Sequence, residues 1–249
     1  MTPGAEAARI RVDDRGHVRI VTFDRPEARN AFDVAMYRAV AAALTEARDE
    51  AEVRAVVLTG VGTAFSAGQD LNEMRAFAAG TADADGASGF PVLLDIVQSF
   101  PKPLLAAVNG VAVGLGFTIL AHCDLVVVAD DARFKVPFTE LGVPAEAGST
   151  YLFPMRMGWQ RAAQVLFTSE WLGAEDVVAA GIALERCPGD RLLERTLELA
   201  SHIAALSPDA VQAIKRLLVD AHLPNVVAAR RREEEAFAEL LPRLAGEAG

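Results

Sequence analysis

Residues 104–124 read LLAAVNGVAVGLGFTILAHCD, and the order of features in that stretch decides the fold. Leu104 to Val108 is an unbroken apolar run of strand length, the pattern of a strand covered on both faces in a parallel sheet. Asn109-Gly110 interrupts it, and after Gly114 and Gly116 the apolar positions resume at helical spacing from Leu115 to His122. By length alone the 18 residues Leu104 to Ala121 would admit a marginal membrane span. Glycines at 110, 114 and 116, with Pro103 and Asp124 at the flanks, favour a buried strand, a turn and a helix instead. The first amides of such a helix lack intrahelical acceptors and point back at the turn.

A second stretch upstream has the same design. Val56-Val57-Leu58-Thr59-Gly60 is a short β-branched strand, followed by Phe65-Ser66-Ala67-Gly68-Gln69-Asp70-Leu71 and a helical start. If the two strands are neighbours in one sheet, both turns open on one crevice at the strand carboxyl ends. Two free amides would then converge on one point, the arrangement of an oxyanion hole, where each donor lowers the barrier by roughly 3 kcal/mol. Either turn alone is equally an ordinary strand-to-helix connection. Their recurrence in this order is what points to chemistry.

Outward from these stretches the chain reads as α/β. Arg9–Asp13 and His17–Phe23 alternate around Asp14-Arg15-Gly16 and predict a hairpin. Asp33 to Glu50 has apolar Val34, Tyr37, Val40, Ala41 and Leu44 at helical spacing, with Asp33 placed to cap, and Val53–Leu58 follows as a strand. Leu71–Ala79 and Leu93–Phe100 can be helical, with a mobile loop over the small, acidic residues Gly80–Gly89 between them. Leu125–Ala129 is another buried strand, and beyond Pro144 the pattern is helical except for a strand-like interruption near Ile182–Arg186. No repeat of 20–50 residues is visible. The last helix, Asn225–Leu244, carries Arg230 to Glu235 as a run of charge beside apolar Val226, Val227, Phe237, Leu240 and Leu241. The run reads as a solvated face, or as a helix packed on a neighbouring subunit.

Composition sets bounds on function. The 249 residues are 52% hydrophobic, enough for one main domain with a helical tail. A net charge of −10 lacks the basic footprint of a nucleic-acid binder, so an anionic ligand would need local help from amides or a single Arg. Cys123 and Cys187 are far apart and read as reduced residues of a cytoplasmic protein, and Met1–Ala8 shows no secretory pattern. His17, His122, His202 and His222 have no metal-ligand spacing. Gly114-Leu115-Gly116 lacks the third glycine of a dinucleotide fingerprint, no phosphate-loop Lys follows either turn, and no Gly-x-Ser-x-Gly elbow offers a nucleophile.

Taken in order, Arg25-Pro26-Glu27-Ala28-Arg29-Asn30-Ala31, Phe65 to Leu71, Ala107-Val108-Asn109-Gly110 through Gly116, and Cys123-Asp124-Leu125 resemble the crotonase superfamily of enoyl-CoA hydratases and isomerases. The resemblance implies an α/β spiral of β-β-α units over residues 1–190 and a helical trimerisation region over 191–249. It implies a homotrimer or dimer of trimers acting on an acyl-CoA thioester, with no membrane or nucleic-acid partner. No cofactor is implied beyond the coenzyme A of the substrate. The oxyanion donors fall on the amides of Gln69 and Leu115. Ala28 and Arg29 fall along the adenosine and phosphate end of coenzyme A, and Ser66, Asp70, Leu71 and Asn72 along the pantetheine and thioester; Asp70 also suits a helix cap.

The resemblance also bears on the reaction. Hydratases of this superfamily use two glutamates, and the matching positions here read Thr118 and Phe138. Phe138 cannot transfer a proton and, with Phe90, is expected to shape the acyl pocket. The loop from Thr139 to Thr150 looks like that of enoyl-CoA isomerases, in which one carboxylate does the work, and Glu146 falls on that position. Glu140 competes for the role, and Glu146 is otherwise an ordinary first-turn glutamate. An atypical hydratase and a non-catalytic acyl-CoA binder are the alternatives to an isomerase.

Overall fold

The computed structural model describes residues 9–70, 72–74 and 89–246, with side chains to 240. The helix expected over Leu71–Ala79 and the loop over Gly80–Gly89 lie largely outside the described residues, as do Leu71 and the side chain of Leu241.

Among the described residues ten strands form two sheets. The larger runs β1 (Ile10–Arg15), β2 (Val18–Phe23), β3 (Ala55–Gly60), β5 (Leu104–Val108), β7 (Leu125–Ala129), β10 (Glu185–Cys187), antiparallel only at the β1–β2 hairpin. The smaller holds β4 (Ala64–Ser66), β6 (Val111–Val113), β8 (Arg133–Lys135) and β9 (Leu172–Gly173). Three successive strand pairs, β3–β4, β5–β6 and β7–β8, each place the first strand in the large sheet and the second in the small one. The chain therefore advances as a spiral of β-β-α units.

The helices are α1 (Val34–Asp49), α2 (Gly89–Gln98), α3 (Leu115–Thr118), α4 (Ser149–Met157), α5 (Trp159–Thr168), α6 (Ala174–Ala179), α7 (Leu192–Ala204), α8 (Pro208–Asp220) and α9 (Leu223–Gly246). Asp33 caps α1 as expected, its Oδ1 accepting from the Met36 amide at 2.8 Å. Strands β3 and β5 are buried almost end to end because α7 packs on β3, β5 and β7, while α1 packs on the β1–β2 hairpin and on α2.

Two features escaped the sequence. The small sheet has strands of two or three residues, too short for alternation to register. The repeated units begin at 55, 104 and 125, so no fixed period marks them.

Two asparagines tie the units together. Asn30, fully buried, accepts from the Arg25 amide at 2.9 Å and donates to the carbonyls of Val61 and Ala64 at 3.0 and 2.7 Å. Asn109 accepts from the Gly60 amide at 3.1 Å and donates to Gly62 at 3.0 Å, so the turns after β3 and β5 are bonded to each other. The segment 104–121 contributes β5, β6 and α3, and among the described residues no helix is long and apolar enough to cross a membrane.

The last helix departs from its expected face. Val226, Ala229, Arg230 and Glu233 are buried in this chain, one helical stripe that packs on α4, while Arg231 and Arg232 face solvent. Arg230 pairs with Asp95 at 2.7 Å and with Gln98 at 2.8 Å. The charge run is therefore not a uniformly solvated face. Exposed apolar side chains sit instead on α8, at Ile214, Leu217 and Leu218, and on α5, at Trp159 and Phe167.

Candidate active site

The segment Arg25 to Phe32 is laced to the segment Ser66 to Asp70. Ala67 donates to the Arg29 carbonyl at 2.9 Å, Phe32 to Gly68 at 2.7 Å, and Asp70 to Phe32 at 2.9 Å. This short parallel bridge uses the groups on either side of Gln69, so the Gln69 amide has no acceptor among the described residues and is directed away from Phe32. Leu115, the first residue of α3, has no acceptor for its amide either. Gly68 brings the two turns together: at φ +88°, a Cβ there would lie 2.5 Å from the Val113 carbonyl and 3.4 Å from the Leu115 nitrogen. The neighbouring parallel strands β3 and β5 provide the shared crevice that the sequence required.

Glu146 faces this point from another unit. Its Oε1 lies 4.0 Å from where a Cβ on Gly114 would stand, beside the Leu115 turn. The carboxylate has no hydrogen-bond partner among the described residues. It is surrounded by protein atoms, although the residue is half-buried and keeps some contact with solvent. Burial, followed by the negative charge of Glu233, pushes its pKa up to about 8. Ala147 and Gly148 follow at φ 60° and 72°, and the reversal lets Ser149 donate both amide and hydroxyl to the Glu146 carbonyl, at 3.0 and 2.6 Å. From below, His122 Nε2 donates to the Ala147 carbonyl at 2.8 Å; burial lowers this imidazole to about 4, so it is neutral at pH 7 and carries its proton on Nε2.

The competing carboxylate, Glu140, is exposed and ion-paired to Lys135 at 2.7 Å. Thr118 is buried in the core with its hydroxyl 3.5 Å from the Leu115 carbonyl, and neither it nor Phe138 carries a carboxylate. Phe138 is buried, and Phe90 stacks edge-on against Tyr37 at 5.9 Å.

The remaining expected contacts divide by exposure. Arg29, exposed at φ 51°, has a guanidinium with no partner among the described residues, and Ala28 beside it is half-buried. Asn72 is exposed. Ser66 and Asp70 are turned inward: the Ser66 hydroxyl donates to the Asn30 carbonyl at 2.8 Å and accepts from Gly68, and Asp70 pairs with Arg25 at 2.7 Å while capping Asn72 at 2.9 Å. Burial alone would raise Asp70, but the Arg25 and amide hydrogen bonds outweigh it and hold the carboxyl below its usual range.

Two residues near Glu146 were not singled out from the sequence. Tyr37, read as a core position, has a buried hydroxyl without a partner among the described residues and feels the charge of Glu146. Glu233, read as part of the charge run, faces inward; its spacing of three, four and seven from Arg230, Ala229 and Val226 is the signal that marks it. Among the described residues no group of His, Cys, Asp and Glu could hold a metal ion.

A family model described as enoyl-CoA hydratase/isomerase matches residues 13–244. The chain is 35% identical to a 2,3-dehydroadipyl-CoA hydratase of Escherichia coli (strain K12), over 91% of this chain and 88% of that protein. It is 33% identical to the peroxisomal enoyl-CoA delta isomerase 3 of Mus musculus, over 96% of this chain and 75% of that one. A crystal structure of an enoyl-CoA hydratase/isomerase from Pseudoalteromonas atlantica superposes with a TM-score of 0.89 at 33% identity, covering 94% of this chain and 91% of that one.

Proposed function

The chain belongs to the enoyl-CoA hydratase/isomerase family, and from that premise we propose that it is an enoyl-CoA isomerase moving a double bond from C3 to C2 of an acyl-CoA thioester. The observation that carries this reading is the position of Glu146, an unpartnered carboxylate beside the turn whose Leu115 amide is free.

In this reading the thioester oxygen accepts from the amides of Gln69 and Leu115. Glu146 removes a proton from C2, the electron pair delocalises onto that oxygen, and the protonated Glu146 returns the proton to C4 as the double bond settles between C2 and C3. One carboxylate suffices because nothing is added or lost. A carboxyl raised to about 8 binds a proton roughly a thousandfold more tightly than an ordinary one, which narrows the gap to a carbon acid. Arg29 would meet the phosphates of coenzyme A with Ala28 beside it, and Asn72 would edge the pantetheine channel. Phe138, filling a position where hydratases carry glutamate, favours isomerisation over hydration. Assembly through α8 into a trimer or dimer of trimers fits its exposed apolar face. A cytoplasmic setting fits two unpaired cysteines.

A spectrophotometric assay offering 3-enoyl-CoA and 2-enoyl-CoA separately tests the assignment. Conversion of the first to the conjugated 2-enoyl thioester without hydration of the second is the expected result. Hydration of the second, or no turnover of either, would replace it with the hydratase or the inert binder.

A further inference from the structure

The turn that presents Glu146 is held by a residue 87 positions further along the chain. Helix α4 begins at Gly148, which has no side chain to cap its own helix, and its φ of 72° is set by the reversal after Glu146. A local Ser or Asp cap is thereby excluded at this position. The cap comes from α9: Glu233 accepts from the Gly148 amide at 2.7 Å, from the Thr150 amide at 2.9 Å and from the Thr150 hydroxyl at 2.6 Å. Glu233 is buried, and a buried carboxylate is tolerated only when so bonded. The helix is fixed close by: a Cβ on Gly148 would lie 3.0 Å from Val226 and 3.5 Å from the Arg230 side chain.

We propose that Glu233 is a positioning residue for Glu146, through which docking of the terminal helix is coupled to proton transfer. The inference rests on Glu146 being the proton carrier. Geometrically, Glu233 fixes the two amides that follow the Ala147–Gly148 reversal, and His122 fixes the Ala147 carbonyl from the opposite side. The Glu146 side chain is thus held by backbone bonds and needs no partner of its own, which leaves both oxygens free for substrate. Electrostatically, Glu233 is the charge that disfavours ionisation of Glu146. The other groups around the site do not offset it: His122 is neutral, Tyr37 is kept protonated by burial and by Glu146, and the Arg230 guanidinium is engaged by Asp95 and Gln98. A neutral amide offers one accepting oxygen where Glu233 uses two, so only a carboxylate both holds the turn at Gly148 and Thr150 and adds its charge to the effect of burial on Glu146.

The test uses the full-length protein, a 3-enoyl-CoA substrate and the variants Glu233→Gln, Thr150→Val and Glu146→Gln. In the wild type, kcat/KM should rise with pH as Glu146 ionises. In Glu233→Gln, which keeps the shape, removes the charge and leaves one accepting oxygen in place of two, that rise should move to lower pH by roughly half a unit or more, with kcat reduced and KM nearly unchanged. A Glu233→Gln variant that melts earlier but keeps the wild-type pH profile would overturn the proposal and leave only a helix cap. Thr150→Val removes one bond and keeps the charge, so it should lower kcat by up to about tenfold without moving the profile; wild-type kcat there counts against positioning even if Glu233→Gln fails to fold. Full activity of Glu146→Gln would instead overturn the role of Glu146 as proton carrier, on which the proposal rests, whatever Glu233 does.

Discussion

Glu146 and Gly114, 32 residues apart in sequence, face each other so closely that the Glu146 Oε1 lies 4.0 Å from the place a Cβ on Gly114 would take. Gly114 holds φ 52° and ψ −120°, a conformation that side chains resist, and this conformation launches α3 with the Leu115 amide free. The same glycine thus shapes the turn of one proposed oxyanion donor at van der Waals distance from the carboxylate.

Gly114→Ala should therefore impair both. Strain of about 1–3 kcal/mol is expected in thermal or urea unfolding, and turnover should fall by more than the lost stability explains. Wild-type kcat in a folded Gly114→Ala protein would show that this turn is not at the reacting centre.

Glu146→Gln should lower isomerase turnover by about a hundredfold or more while acyl-CoA binding changes little. Glu140→Gln should be nearly silent, because an exposed pair with Lys135 contributes only about 0–1 kcal/mol. Parallel kinetics on the two variants decide between the carboxylates, and the reverse ranking would transfer the role to Glu140.

The raised Glu146 also makes a prediction about stability. Its folded pKa of about 8 lies above the ordinary carboxylate value, so the folded state holds this proton more tightly than the unfolded chain. That contribution is complete below the ordinary carboxylate pKa and is lost as pH rises toward 8. Glu146→Gln should thus melt higher than wild type at alkaline pH, by an amount on the order of a few kcal/mol, with the difference closing toward pH 4. Parallel melting curves across that range would contradict the assigned burial.

Asp70→Asn should destabilise the fold by about 1–3 kcal/mol, because it leaves the Arg25 guanidinium largely buried without its 2.7 Å partner. Here the sign is opposite. The folded pKa is depressed, so the wild-type advantage is present above the ordinary carboxylate value and disappears as pH falls through the lower one. Chemical denaturation at neutral and acid pH measures it, and equal stability of variant and wild type at pH 7 would remove Asp70 from the structural core of the loop.

Assembly should depend on α8. Ile214, Leu217 and Leu218 are 60%, 67% and 63% exposed on adjacent positions of that helix. Leu217→Glu is expected to shift sedimentation from a trimer or dimer of trimers toward monomer. A wild-type protein that sediments as a monomer at micromolar concentration would contradict the expected assembly outright.

Much of this protein is local enough to be determined by sequence alone. The buried run Leu104–Val108 became β5 with those bounds and Leu125–Ala129 became β7, because a strand covered on both faces must be apolar at every position. Asp33 marked the start of α1, and the two glycine turns marked where amides would be free, since both signals need only neighbours in the chain. Tertiary structure decided what depends on distant segments. It built the small sheet from strands of two or three residues, whose pairing is fixed by the units around them and not by their own pattern. It turned Ser66 and Asp70 inward onto Asn30 and Arg25 and set Thr118 in the core. It also split the Arg230–Glu235 run, burying Arg230 and Glu233 against α2 and α4 while leaving their neighbours in water. Helical periodicity says which residues share a face, but only the packed partner determines whether that face meets solvent or another element.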